Sequence, residues 1–315
     1  MDRPLGARIG QDGHVSNAPT LPSAAEIADL RSLARSLAVE AGSLVRGGRP
    51  ARVEVADTKS SAVDPVTDMD RASEALLRRR LATRRPADAV LGEEGDHRPG
   101  TSGLTWVVDP IDGTVNYLYG VASYAVSVAV VAGEPDPARW TVLAGAVHSV
   151  VDGLTWTAAL GQGADLDGEP IGVRHADSLA TSLVATGFGY AAARRAQQAQ
   201  VLAHVLPRVR DIRRLGSAAI DLCLVADGSV DLYYERGLNP WDVAAGGLVA
   251  AEAGAALSGL RGEPATNLMT VAGAPERQRE LVALLESADA DAADRPAGAA
   301  VATPAGHLGR SRPTF

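Results

Sequence analysis

Between Trp106 and Gly120 the chain reads WVVDPIDGTVNYLYG. Three apolar residues suited to a strand run into Asp109, a second aspartate follows at position 112, and Gly113-Thr114 comes next. Aspartate and glycine commonly end strands and start helices, so this stretch predicts a strand, a turn and a helix start within fifteen residues. It also places two carboxylates and a helix's first amides side by side, an arrangement suited to a cation and an anion together.

The flanking pattern sets the fold class. Ser23 and Glu26 form an S-x-x-E capping box, and Ile27, Leu30, Ala34, Leu37, Ala41 and Leu44 follow at helical spacing until Gly47-Gly48. A second helix starts near Thr67-Asp68 and ends before Pro86. Strands AVLG, LTWVV, YAVSVAVV, TVLAGAVHSV and GLTWTAAL follow, the last two as a hairpin around Val151-Asp152-Gly153. Beyond Ile171 strands alternate with helices. The expected fold is α/β, with an α+β first half and an α/β second half meeting as one unit. The expected division is a disordered arm over 1–22, a metal-binding subdomain over 23–172, a subdomain completing the site over 173–286, and a low-complexity disordered tail over 287–315.

A net charge of −8 argues against a direct nucleic-acid binder, which would carry a basic face. The single cysteine, Cys223, excludes an intrachain disulfide and any multi-cysteine metal site. The first twenty-two residues hold no apolar segment of a secretory signal, and no apolar run is long enough to span a bilayer. The expectation is a cytoplasmic protein with no membrane partner.

Acidic residues gather at element ends. Glu93-Glu94 follows AVLG, Asp109 ends LTWVV, Asp112 precedes a short helix, Asp70 lies in a helix's first turn, and Asp242 opens the helix DVAAGGLVAAEAGA. Singly, such residues are caps or solvated turns. Together they are hard oxygen donors of the kind Mg²⁺ takes, and buried carboxylates so gathered need a cation between them. Gly113 and Thr114 add amides for an anion, which suggests a phosphate between the two. There is no P-loop, no G-x-S-x-G elbow, and no ligand spacing among the six histidines, and the aspartate pair at 109 and 112 has D-P-I-D spacing rather than the D-x-D of haloacid-dehalogenase-type phosphatases.

LGEEG, WVVDPIDGTVNY and WDVAAGGLVAAEAGA resemble, in order, the three signatures of the inositol monophosphatase family, and KSSAVDPVTDMD resembles the family's upstream segment. The resemblance runs from about Ser23 to Glu286. It implies the layered αβαβα sandwich shared with fructose-1,6-bisphosphatases, and a Mg²⁺-dependent phosphate-monoester hydrolase that uses two or three ions.

By the same resemblance Glu93, Asp109 and the Ile111 carbonyl match one metal site, and Asp109, Asp112 and Asp242 a second. Glu93 also reaches a third ion through water. Thr114 with Asp70 matches the pair that activates the attacking water, while the Gly113 and Thr114 amides grip phosphate. Gly216, Ser217, Ala218 and Glu235, with Asp112 and Asp242, fall where relatives contact the inositol ring. Lys59 and Glu94 match accessory positions.

The implied reaction is direct attack of a metal-activated water on inositol 1-phosphate without a phosphoenzyme, sensitive to Li⁺, in a homodimer. Histidinol phosphate and nucleotide or sugar bisphosphates are the alternative substrates. A regulatory binding protein of the transcription machinery is the alternative of another class.

Overall fold

The computed structural model describes residues 21–59 and 65–292. Most of the expected N-terminal arm, part of the Lys59–Asp70 segment and most of the expected C-terminal tail lie outside the described residues.

The first half runs α1 (Ala24–Gly47), β1 (Asp57–Thr58), β2 (Pro65–Val66), α2 (Asp68–Arg84), β3 (Ala89–Gly92), β4 (Leu104–Asp112), α3 (Thr114–Tyr119), β5 (Ala125–Ala132), β6 (Thr141–Ser149), β7 (Thr155–Ala159), β8 (Ala164–Leu166) and β9 (Glu169–Pro170). The second runs β10 (Leu183–Thr186), α4 (Ala192–Val205), β11 (Asp211–Arg213), α5 (Ala218–Ala226), β12 (Leu232–Glu235), α6 (Pro240–Glu252), β13 (Ala256–Ser258), β14 (Thr270–Gly273) and α7 (Pro275–Ser287). β3 to β9 form one sheet in sequence order, antiparallel apart from the parallel β3–β4 pair. The second sheet has the order β11-β10-β12-β14-β13, with β10 parallel to both neighbours.

Alternation along β4 and β5 decides how the layers stack. Trp106, Val108, Val126, Val128 and Val130 share a core with Ile27, Leu30, Leu37 and Val45 of α1 and with Leu77 and Leu81 of α2. Their neighbours Val107, Ala125, Ala129 and Val131 point the other way, onto α5 and α6. The opposite side of α5, at Leu222 and Val225, packs on Tyr233 and Ala272 of the second sheet. That sheet's far face, through Val184, Leu232 and Val271, buries Val201 and Val205 of α4 and Leu281 and Leu285 of α7. The result is five layers, αβαβα. Each fully buried aliphatic side chain contributes about 2 kcal/mol, and the central α5/α6 layer serves both sheets.

Three sequence expectations change. β4 does not end at Asp109 but continues to Asp112. The small strands β8, β9 and β13 are additional, too short to leave a periodic pattern. Residues 287–292, expected in a disordered tail, are folded: Ala290 is buried against the α4/α7 layer, its carbonyl accepts from Arg236 at 3.1 Å, and Asp291 pairs with Arg261. Composition misled there because one buried alanine and two ion-pairing groups suffice to hold a short turn. Among the described residues no helix is long and apolar enough to cross a membrane.

Candidate active site

The spacing of Asp109 and Asp112 poses a problem for a strand. Residues three apart in a regular strand point to opposite faces. Here Asp109 pairs with Ser127 and Asp112 with Ala125, so three steps on β4 match two on β5. This bulge takes up one residue and returns both aspartates to the same side. Pro110 is tolerated there because a bulge frees it from the ladder. The Pro110 carbonyl accepts from Ser73 of α2 at 3.2 Å, and the Ile111 amide donates to Asp109 Oδ1 at 3.0 Å.

Three helix starts face this bulge. At α2, Thr67 and Asp70 form a capping box in which Asp70 Oδ2 accepts from the Thr67 amide at 2.8 Å and from its hydroxyl. At α6, Asn239 and Asp242 repeat the device, with Asp242 Oδ2 accepting from the Asn239 amide at 2.7 Å. A bond of 3.2 Å from Ser127 to the Trp241 carbonyl ties that helix start to β5. At α5, Asp112 Oδ2 accepts from the cap residue Ser217 at 2.5 Å and from the Ala219 amide at 2.7 Å. Each carboxylate therefore anchors one oxygen locally and has the other for the site.

Asp109, Asp112 and Asp242 are thereby brought together, with carboxylate oxygens within 4.8 Å of one another. Burial pushes Asp109 well above the usual carboxylate range, and Glu93, Asp112 and Asp242 add to the effect. Asp242 is raised likewise, first by burial and then by Asp112 and Glu93. Glu93 is pushed up to about 7, chiefly by burial, with Lys59 opposing. It stands beside Asp109 but outside the trio, its Oε1 held 2.7 Å from Lys59 Nζ. The same ammonium reaches Glu94 at 2.5 Å. Burial lowers the Lys59 pKa, but its two carboxylate partners outweigh that and raise it overall.

Thr114 begins α3 and is buried. Its Oγ1 lies 3.1 Å from both Asp70 Oδ1 and the Ile111 carbonyl, so its one proton is offered to two acceptors. Burial raises the Asp70 pKa, and the Thr67 bonds pull it partly back. Gly113 before it has φ 98°, and a Cβ there would stand 2.9 Å from the Ser123 carbonyl and 3.1 Å from that of Gly216. Neither the left-handed backbone nor the contact admits another residue without strain.

A cavity of about 560 Å³ opens from this cluster. Lys59, Glu93, Asp109, Ile111, Asp112, Gly113, Thr114 and Asp242 line it together with Gly216, Ala218 and Glu235. Asp70 lies behind Thr114, and Ser217 acts through Asp112 without lining the space. Glu235 accepts from the Tyr233 hydroxyl at 2.7 Å, and burial pushes its pKa up to about 7. Gly187 makes room for it, since a Cβ there would collide with the Glu235 carboxylate.

Sequence reasoning missed several participants. Asn116 donates to the Ser123 and Leu215 carbonyls at 2.6 and 2.7 Å, tying α3 to the loop before α5. Its place as a polar residue within DGTVNY was the available signal. Arg194 and Arg214 also line the cavity, and nothing in their local sequence marks them.

Comparison with known proteins fits this geometry. The model of the inositol monophosphatase family matches residues 26–290. Inositol-1-monophosphatase SuhB of Mycobacterium tuberculosis is 47% identical over 283 residues, covering 83% of this chain and 94% of that protein. The solved structure of Mycobacterium tuberculosis SuhB superposes with a TM-score of 0.70 at 45% identity, covering 84% of this chain and 98% of the other. The Nus factor SuhB of Pasteurella multocida is 32% identical over 256 residues, covering 80% of this chain and 93% of that protein. A family match that spans almost all the described residues, joined to this degree of identity, means that the chain is a phosphatase belonging to the inositol monophosphatase family.

Proposed function

We propose that this phosphatase is Mg²⁺-dependent and hydrolyses inositol 1-phosphate to myo-inositol and phosphate. The observation that carries the reading is the convergence of Asp109, Asp112 and Asp242 on a cavity that Glu235 also lines.

The donor set fits the ion. All three side chains offer hard oxygens, and Asp112 raises the pKa of both Asp109 and Asp242, the response expected where negative charges gather around a cation's place. Asp109, Asp112 and Asp242 would hold one Mg²⁺, and Asp109 with Glu93 and the Ile111 carbonyl another. When bound, the ions supply electrophilic stabilisation of the charge that develops on the transferring phosphoryl group.

The rest falls to the chain's own groups. Thr114 donates its hydroxyl proton to Asp70, which leaves Oγ1 to accept a proton from a water. Asp70, with its pKa raised by burial, takes up that charge as the base behind Thr114. The amides of Gly113 and Thr114, at the start of α3, hold the phosphate. Glu235, fixed through one oxygen by Tyr233, accepts from vicinal hydroxyls through the other.

The test is a substrate panel of inositol 1-phosphate, histidinol phosphate and 3′-phosphoadenosine 5′-phosphate, each with and without Mg²⁺. A preference of tenfold or more for histidinol phosphate would overturn the substrate assignment. A second reading, participation in transcription complexes, draws on the relative named as a Nus factor. It is favoured if no ester is turned over while the protein binds RNA polymerase.

Two stability measurements bear on the same site. Mg²⁺ at about 100 times its Kd stabilises the fold by about 2.7 kcal/mol, or about 5 °C in Tm. No shift in the chelated protein on adding Mg²⁺ would remove the metal assignment.

Glu235→Gln should trade function for stability. The folded pKa of Glu235 lies above its unfolded value of 4.5, at about 7. Its contribution is therefore fully present below pH 4.5 and is lost as pH rises through 7. The glutamine variant should match the wild type in stability at pH 5. At pH 8 it should exceed it by about 2 kcal/mol, allowing for screening at the cavity wall. Its KM for inositol 1-phosphate should rise about tenfold. Thermal melts at the two pH values and steady-state kinetics decide both parts.

A further inference from the structure

The segment LGEEG gives Glu93 to the site, but its two glycines have no part in the reaction above. Neither has a positive φ, so the backbone at Gly92 and at Gly95 would admit a side chain. What keeps both small is one carboxylate arriving from α2. A Cβ on Gly92 would stand 2.5 Å from Glu74 Oε2, and one on Gly95 would stand 2.8 Å from Glu74 Oε1. Both distances are well inside van der Waals contact.

Glu74 is buried, and both of its oxygens are engaged. Oε2 accepts from the Glu94 amide at 2.7 Å, and Oε1 accepts from Arg78 Nε at 2.7 Å. Arg78 in turn donates to the Gly95 carbonyl at 3.0 Å. The loop carrying Glu93 is thus held through its backbone from α2 and through its side chains by Lys59.

Helical spacing makes this more than a local clasp. Asp70, Ser73, Glu74 and Arg78 fall on one face of α2. In that order they bond the Thr114 hydroxyl, the Pro110 carbonyl of the bulge, the Glu94 amide and the Gly95 carbonyl. One helix face therefore sets three segments of the site against one another. Resting on the reading of Glu93 as a metal ligand, we propose that Glu74 is a positioning residue for that ligand. Its bond to the Glu94 amide fixes the peptide that joins Glu93 to Glu94, and with it the place where Glu93 presents its carboxylate. Gly92 and Gly95 are bare because Glu74 fills their side-chain space.

Calorimetric titration of the full-length, chelated protein with Mg²⁺ alone tests the proposal. Glu74→Met should raise the Kd of the step that Glu93→Gln also weakens by about tenfold or more, the usual cost of losing a group that orients a ligand. The step that Asp242→Asn weakens should stay within about twofold. Glu74→Gln loses the ion pair with Arg78 but keeps an oxygen for the Glu94 amide. Its Tm should fall while its Mg²⁺ affinity stays within about threefold of wild type. Gly92→Ala should displace the carboxylate and act like Glu74→Met, and it should cost nothing further in a Glu74→Ala background.

NMR of the Glu94 amide in the metal-free protein gives a readout that needs no ion. A charge-assisted bond of 2.7 Å holds that proton downfield and protects it from exchange. In Glu74→Met it should move upfield and exchange about tenfold faster, with the change confined to residues 93–95, whereas Glu74→Gln should leave it in place. The proposal is overturned if folded Glu74→Met binds Mg²⁺ as wild type does, if glutamine is as harmful to Mg²⁺ affinity as methionine, or if the Glu94 amide does not respond. Should Glu74→Met not fold, Gly92→Ala decides the same point. Failure of the wild type to bind Mg²⁺ would instead sink the metal reading, and the Glu94 amide would still show whether Glu74 holds the loop.

Discussion

Asp109→Asn should lower kcat by about 10³-fold or more while leaving the fold intact. The side chain is buried and its Oδ1 accepts from the Ile111 amide, a bond that the amide oxygen of asparagine can keep. What is lost is the negative charge at the position adjoining Glu93, Asp112 and Asp242 alike. Removing one of several mutually repelling charges relieves the chelated protein, so its Tm should equal or exceed that of wild type. The stabilisation by Mg²⁺ should shrink at the same time. Loss of activity with an unchanged or raised Tm separates removal of a site from damage to the fold. Full activity in this variant would refute the metal assignment.

Thr114→Val and Asp70→Asn should each lower kcat by about 10²- to 10⁴-fold with little change in KM, the range for loss of a positioned general base. The two side chains act as one device, because the Thr114 hydroxyl lies 3.1 Å from Asp70 Oδ1, the one carboxylate it bonds among the described residues. The double variant should therefore be about as slow as the worse single one, since groups that act as a unit are strongly non-additive. Multiplying losses, or an effect confined to KM, would show that the pair does not share a proton path. Asp70→Asn also retains a side-chain oxygen to accept from the Thr67 amide, so the start of α2 survives the change.

Much of this site was legible because its carboxylates sit where local rules also put them. Reading Asp70 and Asp242 as residues of helix starts was correct: both are the third residue of a capping box. The reading fell short in treating cap and site as alternatives. A carboxylate has two oxygens, and one can hold the helix while the other serves the cavity. Ser217 shows the same economy, capping α5 and donating to Asp112. By contrast, Arg194 and Arg214 were missed, since an arginine in a loop or helix reads the same whether or not a cavity lies beside it.

The chain's order of apolar and polar residues determined the elements, their caps and the layered class, because periodicity and capping act over only a few neighbours. It also determined which acids could meet, through motifs long enough to be matched as a family. The tertiary structure decided how they meet. A bulge at Pro110–Ile111 turned a three-residue spacing into a shared face, and α5 and α6, set between two sheets, carried Ser217 and Asp242 to that face. Repulsion among buried carboxylates depends on distances across the fold, and those exist only once residues more than a hundred positions apart have packed together.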